Sequence, residues 1–298
     1  MKLIKPSFEI IEQPSGLEGM YKQIELVGRV SYKSEDKITE NSAKEFVDKM
    51  IKLDHGAVLE HGTVYLMARS VPSKNWEGDD ILVDPLKWYE NNNYSKHTRG
   101  VLDNTFYHLV VTNLRVIIEN NKLDDLKYLC EPTEFHEKRV CVKFICDRGI
   151  SHEFVRHRHF SFMQESTRYC NYSKNKFGNE LTFIHPCWTN IPEGDYGNVF
   201  NPKEPDITLA SNEYAFIDIL RESEKYYIEL TNNGWTPQQA RAVLPNALKT
   251  ELYMTGFISD WKHFFELRSN KYGKGGAHPQ ADELATPLYE EFKNRNLI

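Results

Sequence analysis

The apolar residues of this chain fall into short runs of two different periods, and that mixture limits the folds open to it. Between about Thr39 and Leu53, the residues Ala43, Phe46, Val47, Met50 and Ile51 put one apolar stripe on a helix that ends at Asp54-His55-Gly56. Gly62 to Ala68 alternates instead, and so does Arg139 to Cys146, where Val140, Val142, Phe144 and Cys146 share one face. Both read as strands. A helix is predicted from about Thr105 to Asn120, and the Pro, Asn, Asp and Lys of Val71 to Asn104 read as an irregular insertion. A loop-rich region runs to about Pro205.

The last third is better punctuated. Thr236-Pro237-Gln238-Gln239 is a capping-box signature for a short helix that Pro245 must end. Thr250 to Phe257 reads as a strand, Ser259-Asp260 as the cap of a helix from Trp261 to about Asn270 with His263, Phe264 and Leu267 on one side, and Pro279 as the start of a terminal helix. No G-x-G-x-x-G follows a strand. The expected fold class is therefore α+β, a mixed or antiparallel sheet with flanking helices and not a Rossmann fold. The chain reads as a single domain over 1–298 with an insertion at about 71–140.

With 37 basic against 43 acidic residues and a pI near 6.0, no global field would gather nucleic acid or an anionic membrane. An anionic ligand must meet a local basic pocket. The longest apolar runs, such as Leu109-Val110-Val111, fall far short of the roughly 20 residues of a spanning helix. Met1-Lys2-Leu3-Ile4-Lys5 opens no signal peptide, so a soluble, cytoplasmic protein is expected. Five cysteines form no C-x-x-C pair and suggest reduced thiols, with neither a disulfide framework nor a four-cysteine zinc site.

The densest chemistry lies at Arg156-His157-Arg158-His159, with Ser166 and Arg168 shortly after. Two guanidiniums can grip phosphate bidentately, a serine hydroxyl can add a bond, and Phe160 and Tyr169 offer flat faces to a ring system. The plain alternative is a solvated basic loop. A zinc site from His152, Glu153, His157 and His159 fits poorly, because His152 and His157 are five residues apart and would point about 140° away from each other on a helix. No metal is expected. Ser166 lacks a G-x-S-x-G elbow and suits phosphate binding better than nucleophilic attack.

Arg156-His157-Arg158, seven residues and then Ser166 resembles the R-H-R-x7-S signature of flavin-dependent thymidylate synthases, and Glu153, Gln164, Arg168 and Tyr169 fit variants of it. Three more blocks arrive in the family's order. They are Arg29-Val30-Ser31-Tyr32, then His55-Gly56-Ala57-Val58-Leu59-Glu60-His61, and finally Ala240-Arg241-Ala242-Val243-Leu244-Pro245 with His263-Phe264 and Leu267-Arg268.

The resemblance implies an enzyme that methylates dUMP to dTMP with FAD as cofactor and methylenetetrahydrofolate and NADPH as co-substrates, built as a homotetramer with sites shared between subunits. It assigns Ser31, His55, Glu60, Arg156, His157, Arg158, Gln164 and His263 to FAD. To dUMP it assigns Glu153, Arg156, Gln164, Glu165, Ser166, Thr167, Arg168, Arg241 and Arg268, with Arg268 in the chemical role beside the uracil. Ala57 stands where members often carry Ser or Thr, and Phe257-Ile258-Ser259 replaces a common Asn-x-Arg. Without the family, Arg241 would read as a surface ion pair, Arg268 as a partner of a helix C-terminus, and His55 and His61 as satisfied polar residues. The rival function is a nucleotide or single-stranded nucleic-acid binding protein without catalysis.

Overall fold

A computed structural model describes residues 1–298. In chain order the strands are β1 (Lys2–Ile4), β2 (Ser7–Ile11), β3 (Thr63–Ala68), β4 (Val71–Lys74), β5 (Asp80–Val83), β6 (Lys96–Leu102), β7 (Thr105–Asn113), β8 (Arg139–Asp147), β9 (Ser161–Gln164), β10 (Thr182–Ile184), β11 (Gly194–Asp195), β12 (Gly197–Asn198), β13 (Asn201–Pro202) and β14 (Lys249–Phe257). The helices are α1 (Gly16–Arg29), α2 (Ser42–Lys52), α3 (Gly56–Leu59), α4 (Leu114–Glu119), α5 (Arg148–Phe154), α6 (Ser211–Asn232), α7 (Pro237–Ala240), α8 (Ile258–Arg268) and α9 (Pro279–Asn294). None of them is long and apolar enough to cross a membrane.

The site is carried by a four-stranded sheet in the order β2-β8-β14-β9, antiparallel throughout. Alternation along β8 works as the sequence suggests. Val140, Val142, Phe144 and Cys146 enter one core with Trp261, Phe264 and Phe265 of α8 and Leu284, Leu288 and Phe292 of α9. Cys141 and Tyr253 meet Val27 of α1 and Val30 from the other face. Each fully buried large side chain there contributes about 1.5–3 kcal/mol through apolar burial, which fixes α8 against the sheet.

A second sheet, β3-β7-β6, is also antiparallel and shares a core with α1 and α2. The helix expected over Thr105–Asn120 is a strand to Asn113 and only then a helix. Neighbours β3 and β6 pair with both edges of β7, and its Leu109-Val110-Val111 run is buried on both faces. Asn113 then caps α4, its Oδ1 accepting from Val116 N at 3.1 Å. The segment expected to be irregular, Val71 to Asn104, holds the β4–β5 hairpin and β6.

Four helices, α1, α3, α5 and α6, go beyond the sequence reading. The buried side of α6 carries Glu213, Arg221 and Glu224 beside Ile217, Leu220 and Tyr227, so its stripe looks polar. Those charges are matched: Arg221 donates to the carbonyls of Tyr196 and Lys203, and Glu224 pairs with the N-terminal amine at 3.1 Å. At α8 the helix starts at Ile258, and Asp260 Oδ2 accepts from Phe257 N at 3.1 Å. His263 and Leu267 are exposed while Phe264 is buried, so the three do not share one side as expected. The capping box at Thr236 and the terminal helix from Pro279 form as read.

Candidate active site

Asp147 closes β8 and caps α5, its Oδ1 accepting from Ile150 N at 2.7 Å. The helix stops at Phe154, and hydrogen bonds from His157 N to Phe154 O and from Phe160 N to His157 O turn the chain into β9. Arg156 to His159 therefore form a loop between a capped helix and a paired strand. Phe160 anchors that loop by lying on Gly256 of β14, where an added Cβ would come 2.6 Å from its ring.

This loop faces the C-terminal half of α8 across a cleft of about 410 Å³ lined by Arg156, His157, Arg158, His159, Phe160, Asp260, His263, Leu267 and Arg268. A volume of that order suits part of a nucleotide or dinucleotide. Arg156 and Arg158 are exposed, and no carboxylate of the chain pairs with either. Arg268, half-buried at the end of α8, is held from three sides. Its Nε donates to His157 Nε2 at 3.1 Å, its Nη2 donates to the Glu153 carbonyl at 3.1 Å, and its Nη1 pairs with the Glu153 carboxylate. His157 must be neutral to accept that bond. Burial, with Arg268 and His263 nearby, pushes its pKa down to about 4.

The remaining segment, Gln164 to Arg168, is more structural than its motif suggests. Gln164 Nε2 donates to Ser151 Oγ at 2.9 Å and to Thr250 Oγ1 at 3.1 Å. Glu165 is buried and accepts from Tyr172 Oη and Lys249 Nζ. Thr167 is buried, while the Ser166 hydroxyl accepts from Arg168 N at 3.3 Å. Arg168 is exposed above Tyr169, whose ring stacks on Tyr32 at 4.4 Å between centroids. Arg241 follows α7 as its C-cap, exposed and without an ion-pair partner, so it is not the surface ion pair its position alone suggests.

The earlier blocks lie elsewhere in the chain. His55 lines a separate cleft of about 760 Å³ together with Arg29, Tyr32 and Lys49, and none of the residues of the Arg156 cleft borders it. Glu60 is paired with Arg115 at 2.6 Å, and Ser31 Oγ faces Met163 Sδ and the Gln164 carbonyl. His61 is fully buried against Thr255 Oγ1, and burial drives its pKa to about 3. A third cleft, about 740 Å³ between β2, β8 and the chain end, contains none of the expected site residues.

Arg139 is the residue sequence reading missed. Its half-buried guanidinium donates to the Glu60 carbonyl at 3.0 Å and reaches Ser161 Oγ at 3.4 Å, tying the His55–His61 block to β9. An arginine opening a β-strand carries no signal for such a role. The cysteines are all free, and burial raises every thiol, Cys141 and Cys170 to about 12 and Cys130 to about 11, so none is a ready thiolate.

A family model described as thymidylate synthase complementing protein matches residues 132–295, which include the whole loop, β14, α8 and Arg268. The chain belongs to this family. A flavin-dependent thymidylate synthase of Mycobacteroides abscessus is 27% identical over 138 residues, and one of Mycolicibacterium gilvum is 30% identical over 141 residues. Each match covers 42% of this chain and 47% of the relative, so the chain spans about half the length of the curated relatives it matches. A solved UMP/dUMP methylase from Streptomyces cacaoi, bound with 5-Br dUMP, overlays 99% of this chain and 93% of its own at 15% identity with a TM-score of 0.43, an overlap too loose to position side chains. Ser31, His55 and Glu60 lie outside the matched residues.

Proposed function

We propose that this protein is an FAD-dependent enzyme that methylates dUMP to dTMP with methylenetetrahydrofolate as carbon donor and NADPH as reductant. The observation that carries the reading is the Arg156–Arg158 loop facing Arg268 across one cleft, on the part of the chain that the family model matches. The donors fit the cofactor: two exposed guanidiniums with no carboxylate of their own are suited to a pyrophosphate, and His263 borders the same space. FAD, when bound, supplies the redox chemistry that side chains cannot.

The chain's own share is orientation and charge. Arg268 would lie against the uracil, where a guanidinium favours the N3-deprotonated ring. Neutral His157 and Glu153 fix its fork in one direction. Glu153, Gln164 and Arg268 are already joined through α5 and its neighbours, since Gln164 bonds Ser151 on that helix. Ser166, Arg168 and Arg241 would bind the nucleotide, with Glu165 and Thr167 as the buried support of that segment. The high pKa of every cysteine supports a mechanism without a covalent thiolate.

The separation of the His55 cleft from the Arg156 cleft supports a homotetramer in which His55 of one subunit meets the Arg156 loop of another. The five unpaired thiols suit a cytoplasmic setting. Chain 1–298 then works as one domain, with the segment at about 71–140 as an insertion.

One observation favours the rival reading. The exposed Arg168–Tyr169–Tyr32 stack is a platform on which a base of a single strand could lie. Absorption of the purified protein separates the two: bound flavin absorbs near 450 nm, a nucleic-acid binder does not. Arg158→Ala should lose most of that absorption with an unchanged circular dichroism spectrum. A folded variant with full flavin content would remove Arg158 from the cofactor site.

A further inference from the structure

In the segment between β3 and β8, away from every residue assigned above, two imidazoles and one carboxylate meet. Asp84 follows β5, His97 lies on β6 and His108 on β7. Pairing of Arg99 with His108 and of His97 with Val110 makes the two histidines diagonal neighbours on one sheet face, with ring centroids 5.9 Å apart. Their Nε2 and Nδ1 each lie 2.8 Å from Asp84 Oδ2. All three side chains are nearly closed to solvent, between 4% and 7% exposed.

Ordinary ion pairing does not describe this contact. Distances of 2.8 Å suit a hydrogen bond, yet Asp84 Oδ2, His97 Nε2 and His108 Nδ1 are buried without any hydrogen bond of acceptable direction. The other atoms of the same groups are placed as supports. Asp84 Oδ1 accepts from Leu86 N at 2.8 Å, His108 Nε2 meets Ser70 Oγ at 2.9 Å, and His97 Nδ1 lies 3.5 Å from Glu90 Oε1. Outer partners that fix imidazole orientation in this way are what metal-ligating histidines carry.

We propose that Asp84, His97 and His108 bind one divalent transition-metal ion, zinc in the first instance, and that the ion is structural. Two imidazole nitrogens and a carboxylate oxygen suit zinc, and a three-residue set leaves a fourth position for water. Donors around zinc sit about 2.0–2.1 Å from the ion and hence about 3.3 Å apart, so loading opens the cluster by roughly half an ångström. The β4–β5 hairpin has almost no buried side chain of its own. An ion on Asp84 would tie the end of that hairpin to β6 and β7, and binding energy would become folding energy for the segment. The zinc set weighed in the sequence, at His152 to His159, is a different one.

The test uses the full chain, stripped with chelator and independent of any flavin assay. Cobalt titration should give a visible absorption band that saturates at about one equivalent per chain, as an imidazole and carboxylate site predicts. Zinc should raise the melting temperature and slow tryptic cleavage at Lys74 and Lys87 by about tenfold or more, because it closes local opening of the segment. His97→Ala and Asp84→Asn should each lose the bound metal. If either variant fails to fold, the wild-type titration decides alone. A stripped chain that binds neither cobalt nor zinc and melts identically with and without zinc overturns the proposal. So does metal uptake that both folded variants retain, since the ion then sits elsewhere.

Discussion

Arg268 sits where a stabilising role and a catalytic role predict different losses. As the last residue of α8 it could serve the helix C-terminus, and its removal would then cost about 0.3–1 kcal/mol of stability and little else. Its geometry says more: the guanidinium is aimed by Glu153 and by a histidine kept neutral. Under the proposed function, Arg268→Ala should lower dTMP formation about a hundredfold, the scale of losing one preorganised donor. Arg268→Lys should recover it only in part, since an ammonium lacks the planar fork. Flavin reduction by NADPH, followed by stopped flow, should survive in both variants. Wild-type turnover in Arg268→Ala would end the assignment. His157 gives a pH signature. Its folded pKa of about 4 lies below the ordinary 6.5, so the unfolded chain binds more protons between those values and stability must fall as pH drops from about 6.5 towards 4. The loss is of the order of 3 kcal/mol at most. Melting temperatures across that window should fall less steeply for His157→Asn, which cannot titrate and can still accept from Arg268. Identical slopes would show that His157 is not the group responsible.

The strand β14 shows how an element positions residues that it does not itself contribute. It pairs β8 on one side and β9 on the other, so the two ends of the Arg156 loop are held by one ladder. Gly256 lets Phe160 lie flat on that ladder. Gly256→Ala should overpack the contact, cost about 1–3 kcal/mol in urea unfolding, and lower flavin content by displacing the loop. Unchanged stability would mean that Phe160 can move aside freely. The same strand buries a charge cluster. Burial alone would raise the Glu251 carboxyl, but Lys249 and Lys33 at 2.7 Å and Lys143 at 2.8 Å hold it well below the usual range. These ions are placed by pairing register and no local sequence pattern marks them. Periodicity marked β3, β8 and α2, while β14, buried on both faces, was legible from its β-branched and aromatic residues and α9 from Pro279. It failed for β7, whose long apolar run is buried on both faces, and for α6, whose buried stripe contains paired charges.

At the scale of the whole molecule, a single chain keeps His55 in one cleft and Arg156, His157, Arg158, His263 and Arg268 in another. If subunits complete each other's sites, His55→Ala and Arg268→Ala should each be inactive alone, yet regain dTMP formation after joint unfolding and reassembly, because some mixed tetramers contain intact sites. Mixtures as inactive as the separate variants would place every catalytic group in one chain. The basic cluster of the Arg156 loop and the capped α7 were open to a reader of the sequence because each rests on near neighbours in the chain, and the α+β class was open because several elements show their own period or punctuation. Arg139 bridging the Glu60 carbonyl to Ser161, the clamp of Glu153 and His157 on Arg268, and the meeting of Asp84 with His97 and His108 were not. Local sequence specifies hydrophobic period, caps and turns, which act over a few bonds. Partners drawn together by strand register and by a shared core are separated by loops of arbitrary length, and only the folded chain decides which of them touch.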